Sequence, residues 1–221
     1  MAFSPRKRAN RQFGRVKSWN DDGSGEIRVQ GFVGWKAGMT HVLLRDTNPN
    51  STSAGQEVRK PATVVEIPAL RVLGVRGYGD SPYGLNSLGE VWWDCEELKE
   101  TFPELFRRVP ARNEHDIESH KEQLKGADLS EVRLIIATNP KSISATSSKT
   151  PEIMEMGLSG GDVSSQLDWS FEKIGTELEM SSIFEVGKQV DVIGITKGYG
   201  WQGVIRRFGG KLQSHKNSKK I

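Results

Sequence analysis

The sequence has a single cysteine and no apolar stretch long enough to cross a membrane. Because Cys95 has no second cysteine to pair with, an internal disulfide and a cysteine-based metal site are excluded. No run approaches the roughly 18 apolar residues that indicate a membrane-spanning helix. The basic N-terminus precedes no hydrophobic segment, so the pattern of a secretory signal is missing too. We therefore expect a cytoplasmic protein without a membrane partner.

Acidic residues are missing from both ends of the chain. The whole chain has 31 lysines and arginines and 28 aspartates and glutamates, a net charge of +3. Residues 1–20 contain six basic and no acidic residues, and residues 192–221 contain seven basic and no acidic residues. The middle of the chain keeps the other eighteen basic and all 28 acidic residues, a net charge of −10. This separation predicts basic arms on a solvated, mildly acidic body.

Catalytic and metal-binding patterns are also absent from the sequence. No distinctive nucleophile–base pair, apolar carboxylate pair or metal cluster is present. His115 and His120 are five positions apart, a spacing that does not place both on one helical face, and His41 has no further ligand at metal spacing. We therefore expect no enzyme and no cofactor.

A glycine-rich turn, Gly198-Tyr-Gly-Trp-Gln-Gly203, follows an alternating apolar run over residues 186–197. The run predicts a strand that is buried on most of its length. The turn formally matches the G-x-G-x-x-G dinucleotide pattern, which requires a helix at the third glycine and an acidic residue about 20 positions later. Gly209 and Gly210 argue against a helix, and no acidic residue remains. A nucleotide-binding enzyme is therefore only a distant alternative.

Basic and aromatic side chains surround this turn, and a second basic group lies in the N-terminal arm. Basic side chains neutralise phosphates, and aromatic rings stack on unpaired bases. Charge alone leaves a membrane surface or an acidic protein as other possible partners. The candidate RNA-binding residues are Arg6, Lys7, Arg8, Arg11, Arg15, Lys17, Lys36, His41, Lys197, Trp201, Arg206, Arg207, Lys211, His215, Lys216, Lys219 and Lys220.

Hydrophobic periodicity predicts a mostly β chain with helices in its middle part. Gly34 to Gly38 reads as a turn between two paired strands, and Asp162 as the cap of a helix. The predicted strands are 26–33, 39–44, 62–68, 70–75, 131–138 and 152–158. The predicted helices are 96–109, limited in regularity by Pro103, 113–125 and 162–172.

Three motifs resemble segments of the universal large-subunit ribosomal protein L-three family. Residues 191–210 are similar to its D-V-x-G-x-T-K-G-K-G-x-Q-G-x-x-K-R-W-G segment, and residues 34–41 to its G-x-K-x-G-M-T-H signature. Residues 3–9, Phe-Ser-Pro-Arg-Lys-Arg-Ala, resemble the N-terminal arm of the archaeal and eukaryotic branch. The motifs occur in the family's order across nearly the whole chain. Tyr199 stands where the family often has lysine, which removes one expected phosphate contact.

The resemblance implies a translation-factor-like β-barrel that is interrupted by an inserted α/β subdomain. Family members continue past the position of Ile221 with the strands that complete the barrel. We therefore expect a C-terminally shortened chain with an incomplete barrel, for which a second polypeptide is a candidate source of strands. The expected parts are a basic N-terminal arm (1–25), the first part of the barrel (26–77), the inserted α/β subdomain (78–184), a return to the barrel (185–203) and the start of a basic extension that penetrates ribosomal RNA (204–221).

The resemblance also implies the function. We expect a cytoplasmic, archaeal-type structural constituent of the large ribosomal subunit. It would bind ribosomal RNA and neighbouring large-subunit proteins, support early subunit assembly and extend toward the peptidyl-transferase region. An RNA- or DNA-binding accessory protein outside the ribosome is the alternative.

Overall fold

A computed structural model describes residues 7–16, 18–19, 25–106, 108–109, 117–144 and 146–214. The chain divides into two compact units. One unit is Trp19–Lys188, and the other joins Met1–Ser18 to Gln189–Ile221. The five-part division expected from the sequence stays a prediction.

The unit Trp19–Lys188 is built on an antiparallel sheet of six strands. Five strands follow the order β1-β7-β6-β4-β5, and β8 pairs with the first residues of β4. The central strand β6 reads Glu-Val-Arg-Leu-Ile-Ile-Ala, a run rich in β-branched and apolar residues that suits a strand covered on both faces. The strands are β1 (Arg28–Val29), β4 (Leu70–Ser81), β5 (Gly84–Trp92), β6 (Glu131–Ala137), β7 (Ile153–Ser159) and β8 (Glu177–Leu178).

Helices cover both faces of this sheet. They are α1 (Cys95–Thr101), α2 (Pro103–Phe106), α3 (Ile117–Lys125) and α4 (Val163–Lys173). Leu134 and Ile135 are neighbours in β6 and point to opposite faces, as successive strand residues do. Leu134 belongs to the hydrophobic cluster that includes Leu124 of α3 and Leu167 of α4, whereas Ile135 belongs to the cluster that includes Leu98 of α1. The sheet is therefore the middle layer of the unit.

The predicted helices 113–125 and 162–172 correspond to α3 and α4, with residues 113–116 outside the described residues. The predicted helix 96–109 is confirmed only in part, as α1 and α2, since residues 108 and 109 are not helical. Pro103 separates α1 from α2, because proline has no N–H to continue the first helix. Asp162 lies at the N-terminal cap of α4, but its side chain makes no capping hydrogen bond. The predicted strands over residues 131–138 and 152–158 correspond to β6 and β7.

Strands β2 (Trp35–Arg45) and β3 (Glu57–Glu66) form a separate two-stranded antiparallel sheet, which we call the ribbon. The predicted turn at Gly34 to Gly38 is wrong, because β2 begins at Trp35 and includes the following residues, with a bulge between Lys36 and Gly38. The predicted pairing of residues 26–33 with 39–44 is wrong as well, because β3 supplies a longer ladder for β2. The bulge leaves Ala37 without a partner, and Gly38 pairs with Val64 as the ladder continues.

A hairpin of β4 and β5 was not predicted in full. The predicted strand 70–75 continues to Ser81, and the chain returns as β5 after a turn at Pro82 and Tyr83. Glycines at positions 77, 79 and 89 weaken the sequence signal for a strand in β4 and β5, because glycine is uncommon in strand interiors. Strand β4 consequently crosses the predicted boundary between residues 77 and 78.

The predicted strand over residues 186–197 is wrong. These residues have no strand assignment and all are exposed, among them Val192 at 87% and Ile193 at 59%. A strand forms only when a neighbour accepts its ladder hydrogen bonds, and no other described segment pairs with this one. The described strands thus form an open sheet and a ribbon, and no closed barrel.

Replacing Leu134 with alanine tests the role of the sheet core. Leu134 is fully buried between β6 and the helices, so Leu134→Ala should lower the free energy of unfolding by about 2–5 kcal/mol. Leu43→Ala, at a position 65% exposed, should change it by less than about 0.5 kcal/mol. Urea unfolding followed by circular dichroism measures both. Equal losses for the two variants would contradict this description of the core.

Candidate nucleic-acid interface

The two basic ends of the chain belong to one structural unit, which we call the basic unit (Met1–Ser18 and Gln189–Ile221). Gly14 lies so close to the second segment that a β-carbon at this position would be 2.6 Å from Ile193 Cγ2. By sequence, the basic unit has thirteen lysines and arginines and one acidic residue, Asp191. The fold therefore brings together the two basic segments that the sequence places 170 or more residues apart.

The described part of the N-terminal segment, residues 7–16, contains no helix and no strand. Lys7, Arg8, Arg11 and Arg15 are all exposed. The Arg11 guanidinium lies 5.8 Å from the centre of the Phe13 ring, a cation–π arrangement. The candidate residues Arg6 and Lys17 are outside the described residues.

The glycine-rich turn holds two aromatic rings in solvent. Gly200 has φ 68°, which favours glycine, and the Gln202 side chain donates a hydrogen bond to the Tyr199 carbonyl at 2.8 Å. Trp201 is fully exposed and Tyr199 is 71% exposed. A fully exposed tryptophan leaves a large apolar face and an indole N–H available to a ligand.

A short helix, α5 (Val204–Phe208), follows the third glycine of the turn, so the prediction that no helix forms there is wrong. It has five residues and ends at Gly209, whose φ of 67° is readily adopted by glycine. Arg206 and Arg207 lie in its last turn, where cations interact favourably with the helix dipole. No strand is assigned to residues 186–197, which lead directly into Gly198, and no acidic residue follows the turn. The other requirements of a dinucleotide turn are therefore unmet.

The described cations of the basic unit carry uncompensated charge. Lys197 and Lys211 are exposed, as are Arg206 and Arg207. Within residues 7–16 and 189–214, no lysine or arginine forms an ion pair with a carboxylate. The candidate residues His215, Lys216, Lys219 and Lys220 are outside the described residues.

The structure places Lys36 and His41 in the other unit, on the ribbon. Both are exposed. The Arg59 guanidinium nitrogen Nη2 lies 3.0 Å from His41 Nδ1, across the ribbon from β3 to β2. Arg59 was not predicted as a functional residue, because only the strand register shows that it faces His41.

The turn of the ribbon is ordered by Asp46. Its carboxylate accepts hydrogen bonds from the Ser53 hydroxyl at 2.7 Å and from the Asn48 backbone N–H at 3.0 Å. Hydrogen bonding by Ser51, and then by Ser53 and Asn48, lowers the pKa of Asp46 from 3.8 to about 2. Hydrogen bonds to the charged form favour it, which explains the direction.

A second prediction follows from this turn. The hydrogen bonds of the turn favour the ionised carboxylate of Asp46. The contribution of this carboxylate to the stability of the turn is therefore complete above pH 3.8 and is lost as the pH falls through about 2. An NMR titration of the full chain should place the pKa of Asp46 near 2. Ser51→Ala and Ser53→Ala should each raise it toward 3.8. An unchanged pKa in both variants would contradict the assigned cause.

The largest group of paired charges on the sheet holds strands together. Its members are Arg76, Tyr78, Glu90, Glu131, Arg133 and Glu155. Glu155 accepts hydrogen bonds from Arg76 and from the Tyr78 hydroxyl, and the Arg133 guanidinium lies 4.6 Å from the centre of the Tyr78 ring. Burial, followed by the bond to Glu155, raises the pKa of Tyr78. Every charge in this group has an opposite partner, which is the pattern of a structural network.

The described residues contain no metal-binding cluster, and their one cysteine is protonated. No group of three histidine, cysteine, aspartate or glutamate side chains is placed to hold a metal ion there. Burial, and then the charge of Asp94, raises the pKa of the Cys95 thiol, which keeps it in its less nucleophilic protonated form. In the same part of the chain, every helix is too short or too polar to cross a membrane.

The exposed cations and aromatic rings of the basic unit give it the character of a polyanion-binding surface. The whole chain, residues 1–221, matches the family model of ribosomal protein L3, and the protein belongs to that family. A relative in Picrophilus torridus, called large ribosomal subunit protein uL3, is 39% identical over 219 residues, which are 99% of this chain and 63% of the relative.

Two further relatives with the same name give a similar result. The protein of Haloarcula marismortui is 40% identical over 225 residues, covering 99% of this chain and 65% of the relative. The protein of Methanocaldococcus jannaschii is 37% identical over 222 residues, covering 100% of this chain and 64% of the relative. The chain thus spans about 63–65% of the length of these curated relatives.

Proposed function

We propose that this protein is a structural constituent of the large ribosomal subunit and that it binds ribosomal RNA. Membership of the ribosomal protein L3 family supports the proposal, and so does the name of its relatives, large ribosomal subunit protein. The observation that carries it is the basic unit, in which thirteen basic residues accompany a single acidic one and the described cations are exposed without ion pairs. A surface of this kind needs a polyanion to neutralise it.

The mechanism contains no chemical step. Lysine and arginine side chains replace condensed counterions on phosphates, and the released counterions supply much of the binding free energy. The recognition is of RNA shape and backbone, because exposed flexible cations read phosphate positions and not base edges. Trp201 and Tyr199 add stacking on unpaired bases, each worth about 1–3 kcal/mol. No catalytic residue and no cofactor are assigned.

The finer features of the sequence prediction belong to the same proposal. They are a cytoplasmic location on the ribosome, neighbouring large-subunit proteins as partners, a role in subunit assembly and proximity to the peptidyl-transferase region. The division of the chain into five parts, which end at residues 25, 77, 184, 203 and 221, is part of the proposal as well. The β-barrel is part of the proposal because the ribbon and residues 189–199 pair with no further strand among the described residues, so their backbone groups are open to additional strands. A second polypeptide as their source stays a prediction.

Removing charge from the basic unit tests the proposal. The variant Arg206→Gln/Arg207→Gln/Lys211→Gln should bind transcribed large-subunit ribosomal RNA more weakly than the unchanged chain. The slope of log K against log salt concentration should fall by about 0.9 for each phosphate that the variant no longer neutralises. Filter binding or fluorescence anisotropy at several salt concentrations measures both quantities.

The matched control removes three positive charges from the other unit. Lys99, Lys125 and Lys188 are exposed there, and Lys125 and Lys188 already pair with Asp168 and Glu185. Lys99→Gln/Lys125→Gln/Lys188→Gln should leave the slope close to that of the unchanged chain. Equal losses in the two triple variants would contradict a specific role of the basic unit. Absence of the chain from purified large subunits, by mass spectrometry, would contradict the ribosomal role.

A further inference from the structure

The ribbon has two faces of different chemistry. Residues that are directly opposite in an antiparallel pair point to the same side, and successive residues alternate. The face that we call the His41 face contains Met39, His41, Leu43 and Arg45 of β2 with Thr63, Pro61, Arg59 and Glu57 of β3. The Val42 face contains Gly38, Thr40, Val42 and Leu44 of β2 with Val64, Ala62, Lys60 and Val58 of β3.

The His41 face is the more exposed of the two and has more cationic side chains. Met39 and Leu43 on it are 64% and 65% exposed, whereas Val42 and Val64 on the other face are 41% and 48% exposed. It carries Arg45 and Arg59 in addition to His41, and neither arginine forms an ion pair within the described residues. The Val42 face has one cation, Lys60. Because Glu57 lies opposite Arg45, the net charge of the His41 face, with histidine neutral, is +1 and equals that of the Val42 face.

The contact between Arg59 and His41 fixes the chemistry of the histidine. A guanidinium group has only donors, so the Nδ1 atom, 3.0 Å from Arg59 Nη2, is the acceptor. While Nδ1 accepts this hydrogen bond, the ring N–H that remains available is the one on Nε2. The contact with Arg59 thus leaves the Nε2–H of His41, on the other side of the ring, as the hydrogen-bond donor.

The spacing of these groups suits an extended polyanion. His41 and Arg45 are four residues apart on one strand, a separation of about 13 Å at 3.3 Å per residue. Arg59 is paired with Leu43, midway between them on the neighbouring strand. Two cations and a neutral N–H donor therefore follow one line along the exposed side of the ribbon.

We propose that the His41 face is a second contact with ribosomal RNA, separate from the basic unit. Arg45 and Arg59 neutralise phosphates, and Arg59 is also the positioning residue that aims the Nε2–H of His41 at a phosphate or base acceptor. This proposal rests on the proposed function, because it takes ribosomal RNA as the ligand. It adds Arg45 and Arg59 to the interface and gives His41 a defined tautomer.

The test compares single variants of the full chain in binding to transcribed large-subunit ribosomal RNA. Arg45→Gln and Arg59→Gln should each reduce the salt slope by about 0.9, the value for a single neutralised phosphate. His41→Ala should weaken binding without changing the slope, because a neutral ring releases no counterion. His41→Gln should restore most of the affinity, since its amide N–H reaches the position of Nε2, whereas His41→Asn should not.

Lys60→Gln is the matched control. It removes the same charge from the residue next to Arg59, but on the Val42 face. Its slope should equal that of the unchanged chain, and circular dichroism should show that every variant folds. A slope change in Lys60→Gln as large as that in Arg59→Gln would overturn the assignment to one face. An unchanged slope in both arginine variants would overturn the proposal as a whole.

A double-mutant cycle tests the positioning role. If Arg59 orients His41, the combined variant Arg59→Gln/His41→Ala should lose less affinity than the sum of the two single variants. Full additivity would overturn the positioning role. The basic-unit variants separate this result from the proposed function: if they weaken RNA binding while the ribbon variants do not, the proposed function stands and only the ribbon contact fails.

Discussion

The double-sided burial of β4 and β6 is the constraint on which the folded body depends. Leu73 and Val75 in β4 and Leu134 and Ile135 in β6 are all almost fully buried, and they enter clusters on opposite faces of the sheet. A strand covered on both sides is fixed by packing on two faces at once, because a shift by one residue would move each side chain into the opposite cluster. The helices on each side, the hairpin of β4 and β5 and the short strand β8 all take their positions from this pair.

Charge plays a different part in each unit. In the body, arginines that approach the sheet are met by carboxylates, as Arg133, 5% exposed, is met by Glu131 at 2.7 Å. Removing one partner from such a pair leaves a buried charge, which is costly. In the basic unit, the exposed cations of residues 7–16 and 189–214 have no such partners, so their mutual repulsion opposes compaction. Under the proposed function, the charge of the basic unit is compensated by RNA, whereas the arginines of the body are compensated within the fold.

The sequence predicted the elements whose signal is local. Strand β6 is a continuous apolar run, and Pro103 interrupts a helix whatever surrounds it. The errors arose where residues that are distant in the sequence determine the local structure. Gly38 reads as part of a turn until its pairing with Val64 is known, and residues 186–197 have strand composition without a described strand beside them. The exposed cations were readable from composition, whereas the contact of Arg59 with His41 depends on a register that no local pattern contains.

The segment 189–199 combines side chains that favour burial in a sheet with side chains that favour contact with RNA. Its β-branched residues, such as Val190 at 55% and Ile195 at 42% exposure, suit a sheet better than water. Lys197 and the glycine-rich turn follow within a few residues and suit phosphates and bases. An apolar partner for the first part and RNA for the second would satisfy both without conflict. Because the two halves are continuous in the chain, a strand that anchors Val190 to Ile195 would also limit where the proposed RNA contacts of Trp201 and Arg206 can form.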